Sequence, residues 1–366
     1  MDRSTPVNIA DHFSATYAEA RDKFRAAAEG AGARLTRHIN PVDSPAGIEL
    51  STEVAHLGDP AAPTMLLTFS GTHGAEGFCG SGVQVAWLAE DFWKEVPIGV
   101  QQIHVHGINP YGFANLSRTT EENVDLNRNF VDHDNAPVNE GWPRVQPILC
   151  PSAWPTGAQE RMADEVKAFV DAHGFWTFRE AATSGQYGDP QGIFFGGERA
   201  SWSRCIVEAI VAEHCHNLRQ LAVIDYHTGL GPRGFGERII DHLPDTPGFK
   251  RSMDWYDGDA SSPHLGTSTS AKLTGQMLDW IDATLTGVQT TAIALEYGTQ
   301  PESKVIGALT ADNWLRFHGD LNSEKGQDIK QQVRDAFYQD ADDWKQMIWD
   351  RALDTQRRAL KGLAAS

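Results

Sequence analysis

The side chains best suited to chemistry are two histidines and two glutamates, each at the end of an apolar run. His73 and Glu76 stand three positions apart in LLTFSGTHGAEGFCGSG, residues 66–82. With 14 His in 366 residues, about 0.8 His-x-x-Glu pairs are expected from chance alone, so the pair has to be judged by what the rest of the chain supplies. His227 closes a second run, QLAVIDYH, and Glu296 sits in a third, TTAIALEYG. Two His and one carboxylate are what a catalytic metal needs, because three protein ligands hold the ion and leave one position to water. Glu296 would then be free to act as a base on that water. The ligand set admits zinc, manganese or iron. A Glu in AIALEYG is costly to bury without a partner, and the plainer alternative is a salt-bridged Glu at a strand end.

A second constellation lies in FANLSRTTEENVDLNRNF, residues 113–130, with Arg118, Asn127 and Arg128. The stretch is too rich in Asn, Asp and Thr to be a simple core element. A planar guanidinium suits a carboxylate, and a second one can face an oxyanion forming on a carbonyl. The alternative is a turn-rich loop with solvated charges.

These residues need elements to carry them. TMLLTFS (64–70), QQIHVHG (101–107), QLAVIDYH (220–227) and TTAIALEYG (290–298) read as buried strands. Helical patterns lie between them at 81–96, 160–174 and 203–214, and an opening helix covers about 8–30. From about 310 to 366 the chain reads as a helical tail packed on the outside. The alternation predicts an α/β fold, with a mixed, largely parallel sheet and helices on both faces, as a single domain over 1–366. In such open sheets the functional crevice lies beyond the carboxyl ends of the strands, where His73, Glu76, His227 and Glu296 can converge.

Charge and composition exclude other classes. With 31 basic against 49 acidic residues and a net charge of −18, the chain repels phosphate backbones, so no nucleic-acid partner is expected. The N-terminus lacks a basic stretch followed by an apolar one, and no run approaches the roughly 20 apolar residues of a membrane span. A cytoplasmic protein without a membrane partner is expected. The four cysteines show no CxxC spacing and read as buried small residues.

The ordered set HGAE, R…DLNRNF, DYHTGLG and LEYGT resembles the zinc carboxypeptidase superfamily, and most closely its bacterial DUF2817-type branch, from about residue 60 to 300. The resemblance implies a zinc carboxypeptidase-like fold. It also implies one Zn2+ per chain, held by His73, Glu76 and His227. Asp125 would accept a hydrogen bond from His73, Asn127 and Arg128 would grip a substrate's terminal carboxylate, Arg118 would polarise the scissile carbonyl, and Glu296 would be the general base. The implied activity is hydrolysis of an amide next to a free carboxylate, on a small peptide or an acylated amino acid. An N-acyl amino acid deacylase uses the same parts. A metal- or carboxylate-binding protein without chemistry is the non-enzymatic alternative.

Several features stand apart from that pattern. The superfamily's peptidases close a tyrosine over the substrate, and Tyr187 and Tyr256 are equal candidates. Its aspartoacylase-like branch adds a C-terminal β domain, whereas this tail reads as helical. Gly229, Gly231 and Gly234 fit GxGxxG, but Pro232 and the following GFGERII suggest an extended segment instead of the helix a dinucleotide site requires. No GxSxG elbow occurs. His104 and His106 alternate along a strand and read as packed positions. His264 lies in a loop that can reach the pocket.

Overall fold

Seven strands form one sheet in the computed structural model, which describes residues 8–44 and 47–365. They are β1 (Arg34–Ile39), β2 (Ser51–Leu57), β3 (Thr64–Ser70), β4 (Val100–His106), β5 (Gln220–Arg233), β6 (Gly236–Ile239) and β7 (Gln289–Gly298). Their order across the sheet is β1-β2-β4-β3-β5-β7-β6. The centre, β4-β3-β5-β7, is parallel, while β1, β2 and β6 pair antiparallel at the flanks. The mixed, largely parallel α/β sheet expected from the sequence is therefore found.

The central strands read as continuous apolar runs because both of their faces are covered. On β5, Leu221 and Val223 enter one core with Met65, Leu67 and the helices at Trp202–His214 and Met277–Thr284. Ala222, Ile224 and Tyr226 enter the opposite core with Phe24, Trp87 and Trp344. Period-2 alternation of the strand thus feeds two separate cores. A third cluster, from the helices at Trp142–Leu149, Phe175–Thr183, Glu302–His318 and Glu324–Phe337, includes Ala75 of the loop after β3.

The boundaries depart from the sequence reading in instructive ways. The expected helix over about 8–30 is two pieces, a 3-10 turn at Ile9–His12 and an α-helix at Tyr17–Gly30, with Phe13 extended between them and Thr16 capping the second. The helix expected at 81–96 runs over Gly77–Ala89. It starts early despite three glycines because the helix is pressed against its neighbours. A Cβ at Gly77 would meet the Phe113 ring at 2.6 Å, one at Gly80 would meet Ser70 at 2.7 Å, and one at Gly82 would meet Phe13 at 2.4 Å. The tail comprises three helices, Glu302–His318, Glu324–Phe337 and Asp342–Ala364. The last is no mere outer layer: Trp344 and Ile348 are fully buried, and the Trp344 indole donates to the Gly298 carbonyl at 3.0 Å.

His104 and His106 are core residues. Each makes one hydrogen bond, to Thr68 and Ser81 respectively, and burial pushes both imidazoles down to about 3. All four cysteines are free, Cys79 and Cys215 buried as expected, Cys150 half-buried and Cys205 exposed. No helix among the described residues is long and apolar enough to cross a membrane.

Candidate metal centre

Three parallel strands end side by side at the centre of the sheet, and each delivers one part of the site. After β3 the chain passes through His73 into a 3-10 turn, Gly74–Glu76, that leads into the glycine-rich helix. The first N–H groups of that turn are satisfied from outside: Gly74 N donates to the Arg118 carbonyl at 3.2 Å and Ala75 N to that of Ser117 at 2.9 Å. Gly74 allows this approach, since a Cβ there would fall 2.0 Å from the Gly112 carbonyl carbon. The HxxE turn and the Arg118 loop are therefore docked backbone to backbone. His227 and Glu296 are register partners on β5 and β7.

Glu76 lies between the two histidines. Its Oε1 is 2.9 Å from His73 Nδ1 and its Oε2 3.0 Å from His227 Nδ1. The outward nitrogens face two other carboxylates: His73 Nε2 is 3.0 Å from Asp125 Oδ1, and His227 Nε2 is 2.7 Å from Asp225 Oδ2. With the protons on Nε2, both Asp contacts are hydrogen bonds and both Nδ1 lone pairs point at the Glu76 carboxylate, an arrangement that a cation would satisfy. Without one, a proton on Nδ1 lets each imidazole donate to Glu76, and the Arg118 guanidinium, its Nη2 2.8 Å from His73 Nε2, suits that tautomer. His73 Nδ1, buried and without a hydrogen-bond partner despite its closeness to Glu76, fits the cation. The ligand atoms of His73, Glu76 and His227 all lie within 4.8 Å of one another, so the residues present suit a metal of the His2Glu type.

Protein charges alone show what a cation would replace. Burial works to lower His227, but Asp225 and Glu76 outweigh it and hold the imidazole well above its ordinary value. A proton here would do the work of a metal, so metal uptake would release it and affinity would fall in acid.

Asp225 was missed in the sequence. It stands two residues before His227 on the same strand and hence on the same face, with Thr72 Oγ1 donating to its Oδ1 at 2.8 Å. The signal was a lone Asp inside the buried run QLAVIDYH. A carboxylate behind a ligand histidine fixes its tautomer, and losing it costs about 10–100-fold in metal affinity. Asp225→Asn is expected to show that loss in a chelator competition assay while keeping the wild-type far-UV spectrum. Unchanged affinity would remove Asp225 from the site.

The remaining expected residues also converge. Arg118 donates from Nε to Asp125 Oδ2 at 2.9 Å and from Nη1 to Glu76 Oε1 at 3.1 Å, and its guanidinium lies over Phe194. Asp125 is held well below the usual carboxylate range: burial opposes this, but Arg118, Arg128 and His73 prevail. Asn127 is fixed by its Oδ1, which accepts Met277 N at 3.1 Å. Arg128 is 2% exposed, and its guanidinium donates to the backbone carbonyls of Thr183 and Asn127. Glu296 is 8% exposed, and its Oε1 accepts Leu230 N at 3.0 Å.

That Leu230 contact explains the glycines of TGLGPRG. The pairing of β5 with β7 breaks between Thr228 and Arg233, and Gly229 and Gly231 adopt φ of 132° and 91°. Free of the ladder, Thr228 N donates to Glu76 and Leu230 N to Glu296, each at 3.0 Å. The GxGxxG pattern marks a bulge, followed by the extended β6 as expected.

His73, Glu76, Arg118, Asn127, Arg128, His227 and Glu296 all line one cavity of about 260 Å³. Neither tyrosine candidate does. The Tyr187 hydroxyl donates to the Arg128 carbonyl at 2.7 Å, and Tyr256 is buried in the core beneath Arg238. His264 also stays off the wall, its Nε2 3.1 Å from the Asp241 carbonyl.

Several solved structures are similar to this chain. Carboxypeptidase A from Helicoverpa armigera aligns at 14% identity over 88% of this chain and 74% of that one, with a TM-score of 0.48. Bovine thrombin-activatable fibrinolysis inhibitor, in complex with tick carboxypeptidase inhibitor, aligns at 8% identity over 94% and 97%, with a TM-score of 0.44. An aspartoacylase family protein from Mesorhizobium loti aligns at 15% identity over 80% and 68%, with a TM-score of 0.38. No curated protein matches the sequence. The family described as "Protein of unknown function (DUF2817)" matches residues 13–351, and the chain belongs to it.

Proposed function

We propose that this protein is a metal-dependent hydrolase, with zinc as the metal, that cleaves an amide bond adjacent to a free carboxylate. The observation that carries the reading is the inward pair of Nδ1 atoms around Glu76, with Glu296 lining the same cavity. A divalent metal held by His73, Glu76 and His227 would supply a Lewis acid for the carbonyl and lower the pKa of a water at neutral pH.

The chain's own residues do the rest. Arg128 and Asn127 bind the substrate carboxylate, which fixes the scissile carbonyl and makes attack effectively unimolecular. Glu296 takes a proton from the attacking water on a carboxylate oxygen and returns it to the leaving nitrogen. Arg118 faces the carbonyl oxygen as negative charge develops there. Asp125 and Asp225 keep the two imidazoles in the tautomer that presents Nδ1. The apolar walls from Phe178, Phe194, Leu309 and Phe337 keep bulk water out.

The reading is tested by incubating the zinc-loaded protein with a panel of N-acyl amino acids and N-blocked dipeptides and measuring released amino acid. Turnover that disappears when the carboxylate is amidated is the expected result. Substrates of both kinds use the same groups, so their relative kcat/KM separates a deacylase from a carboxypeptidase. A metal-loaded protein silent across the whole panel would leave a binding function in place of catalysis.

A further inference from the structure

The loop that carries Arg118 is held from behind by the helical tail. Leu116 adopts a φ of 48°, a left-handed conformation that a bulky side chain keeps only where its surroundings impose it. The tail supplies that constraint. Ser117 Oγ donates to Asp312 Oδ2 at 2.8 Å, across 195 positions of sequence, and Lys330 Nζ lies 2.5 Å from Asp312 Oδ1 and 3.5 Å from the Leu116 carbonyl. Asp312 belongs to the helix Glu302–His318 and Lys330 to the helix Glu324–Phe337. One carboxylate, 6% exposed, thus ties two tail helices to one short stretch of loop.

Neighbouring residues of the same helix continue the grip. Arg316, one turn beyond Asp312, donates to Thr119 Oγ1 at 3.3 Å and to the Thr120 and Glu121 carbonyls at 3.1 and 2.6 Å. Asn313 donates to the Gln191 carbonyl at 2.7 Å, three residues ahead of Phe194, over which the Arg118 guanidinium lies. The backbone around Arg118 is therefore fixed from the tail, while its side chain meets Asp125, Glu76 and His73. Ser117 is the junction. Its hydroxyl faces Asp312, and its carbonyl accepts Ala75 N of the His-x-x-Glu turn, beside the Arg118 carbonyl that accepts Gly74 N.

We propose that Asp312 is a positioning residue of the candidate metal centre: through Ser117 it sets the loop 116–118 against the turn Gly74–Glu76 and so aims both Arg118 and Glu76. The consequence for turnover, by way of Arg118 on the carbonyl oxygen, rests on the preceding reading; the placement of the turn does not.

Hydrogen exchange of the segment 71–79 in the full chain freed of metal tests the placement directly, and zinc affinity by chelator competition tests its effect. Asp312→Ala is expected to speed exchange of that segment at least about tenfold and to weaken zinc about 10–100-fold, the range for a partner that orients a ligand. Ser117→Ala, which leaves the Asp312–Lys330 pair in place, should produce the same two changes. The double variant should be no worse than Asp312→Ala, since both substitutions break one contact. Asp312→Asn keeps an acceptor for the Ser117 hydroxyl and should recover most of the loss. Ile348→Ala, a cavity in the last tail helix, should lower the melting temperature and move neither reading. Exchange and affinity untouched in Ser117→Ala and Asp312→Ala, the same changes in Ile348→Ala, or effects that simply add in the double variant would overturn the proposal. The hydrolase reading is judged separately. A wild type that takes up no zinc or cleaves no amide removes that reading, and the exchange rates alone then decide for or against Asp312.

Discussion

Glu296→Gln is expected to keep the metal while losing about 10²–10⁴-fold in kcat, the usual contribution of a positioned general base. The variant is nearly isosteric, and its amide can still occupy the place beside Leu230 N, so the metal ligands should stay where they are. An active Gln variant would remove Glu296 from its assigned role. The same substitution carries a second, opposite effect on stability. In the metal-free chain, burial and the neighbouring charge of Glu76 hold the Glu296 carboxyl up at about 8, a rise that a cation bound beside it would oppose, against about 4.3 for an exposed Glu, the value it regains on unfolding. Below that lower value the folded and unfolded chains both hold the proton, and the group's contribution is fully present. As pH rises towards 8 the unfolded chain releases its proton while the folded one does not, so the contribution is lost across that window. Chelator-treated Glu296→Gln should therefore unfold close to wild type near pH 5 and at a higher temperature at pH 8. Superimposable melting curves at both pH values would show that the carboxylate is not strained.

The second large effect is on the metal. The purified protein is expected to carry about one zinc per chain by elemental analysis, and His73→Ala to carry none. Removing His73 takes away one of three ligands and leaves Glu76 and Asp125 facing each other's charge with only Arg118 between them. The wild type should lose thermal stability on chelation, by about 2.7 kcal/mol for free metal at a hundred times its dissociation constant. The variant should not respond to chelator at all. Wild-type protein that takes up no metal, even when zinc is offered at neutral pH, would dismiss the centre and every role built on it.

How much of this was legible in the sequence depended on whether a residue sat in a buried run. The four parallel strands were readable because both faces are covered and the runs are apolar throughout. The candidate site residues were readable because His73, His227 and Glu296 interrupt or end those runs. The antiparallel flanks were not readable. β1, RLTRHI, is an exposed edge carrying two Arg and a His, the usual protection of an edge strand. β2, STEVAHL, is wholly buried yet begins with three polar residues, because Glu53 is neutralised by Arg25 at 2.5 Å. The early start of the helix at Gly77 was hidden by glycines whose purpose is close packing. The expected site residues converge on one cavity, but their companion Asp225 had to be seen beside His227 to be recognised.

The parallel pairing of β5 between β3 and β7 also sets when the centre can exist. Glu76 and His227 are 151 residues apart in the chain, and Glu296 joins them only once β7 has docked on β5. Contacts that close loops of this length form late, because the entropy of closure is spent before the contact repays it. A nascent chain has no complete ligand set until β5 has emerged and found β3. A metal held there would therefore act on the finished sheet, slowing its opening far more than it hastened its assembly, as a latch on the fold and not as a seed for it.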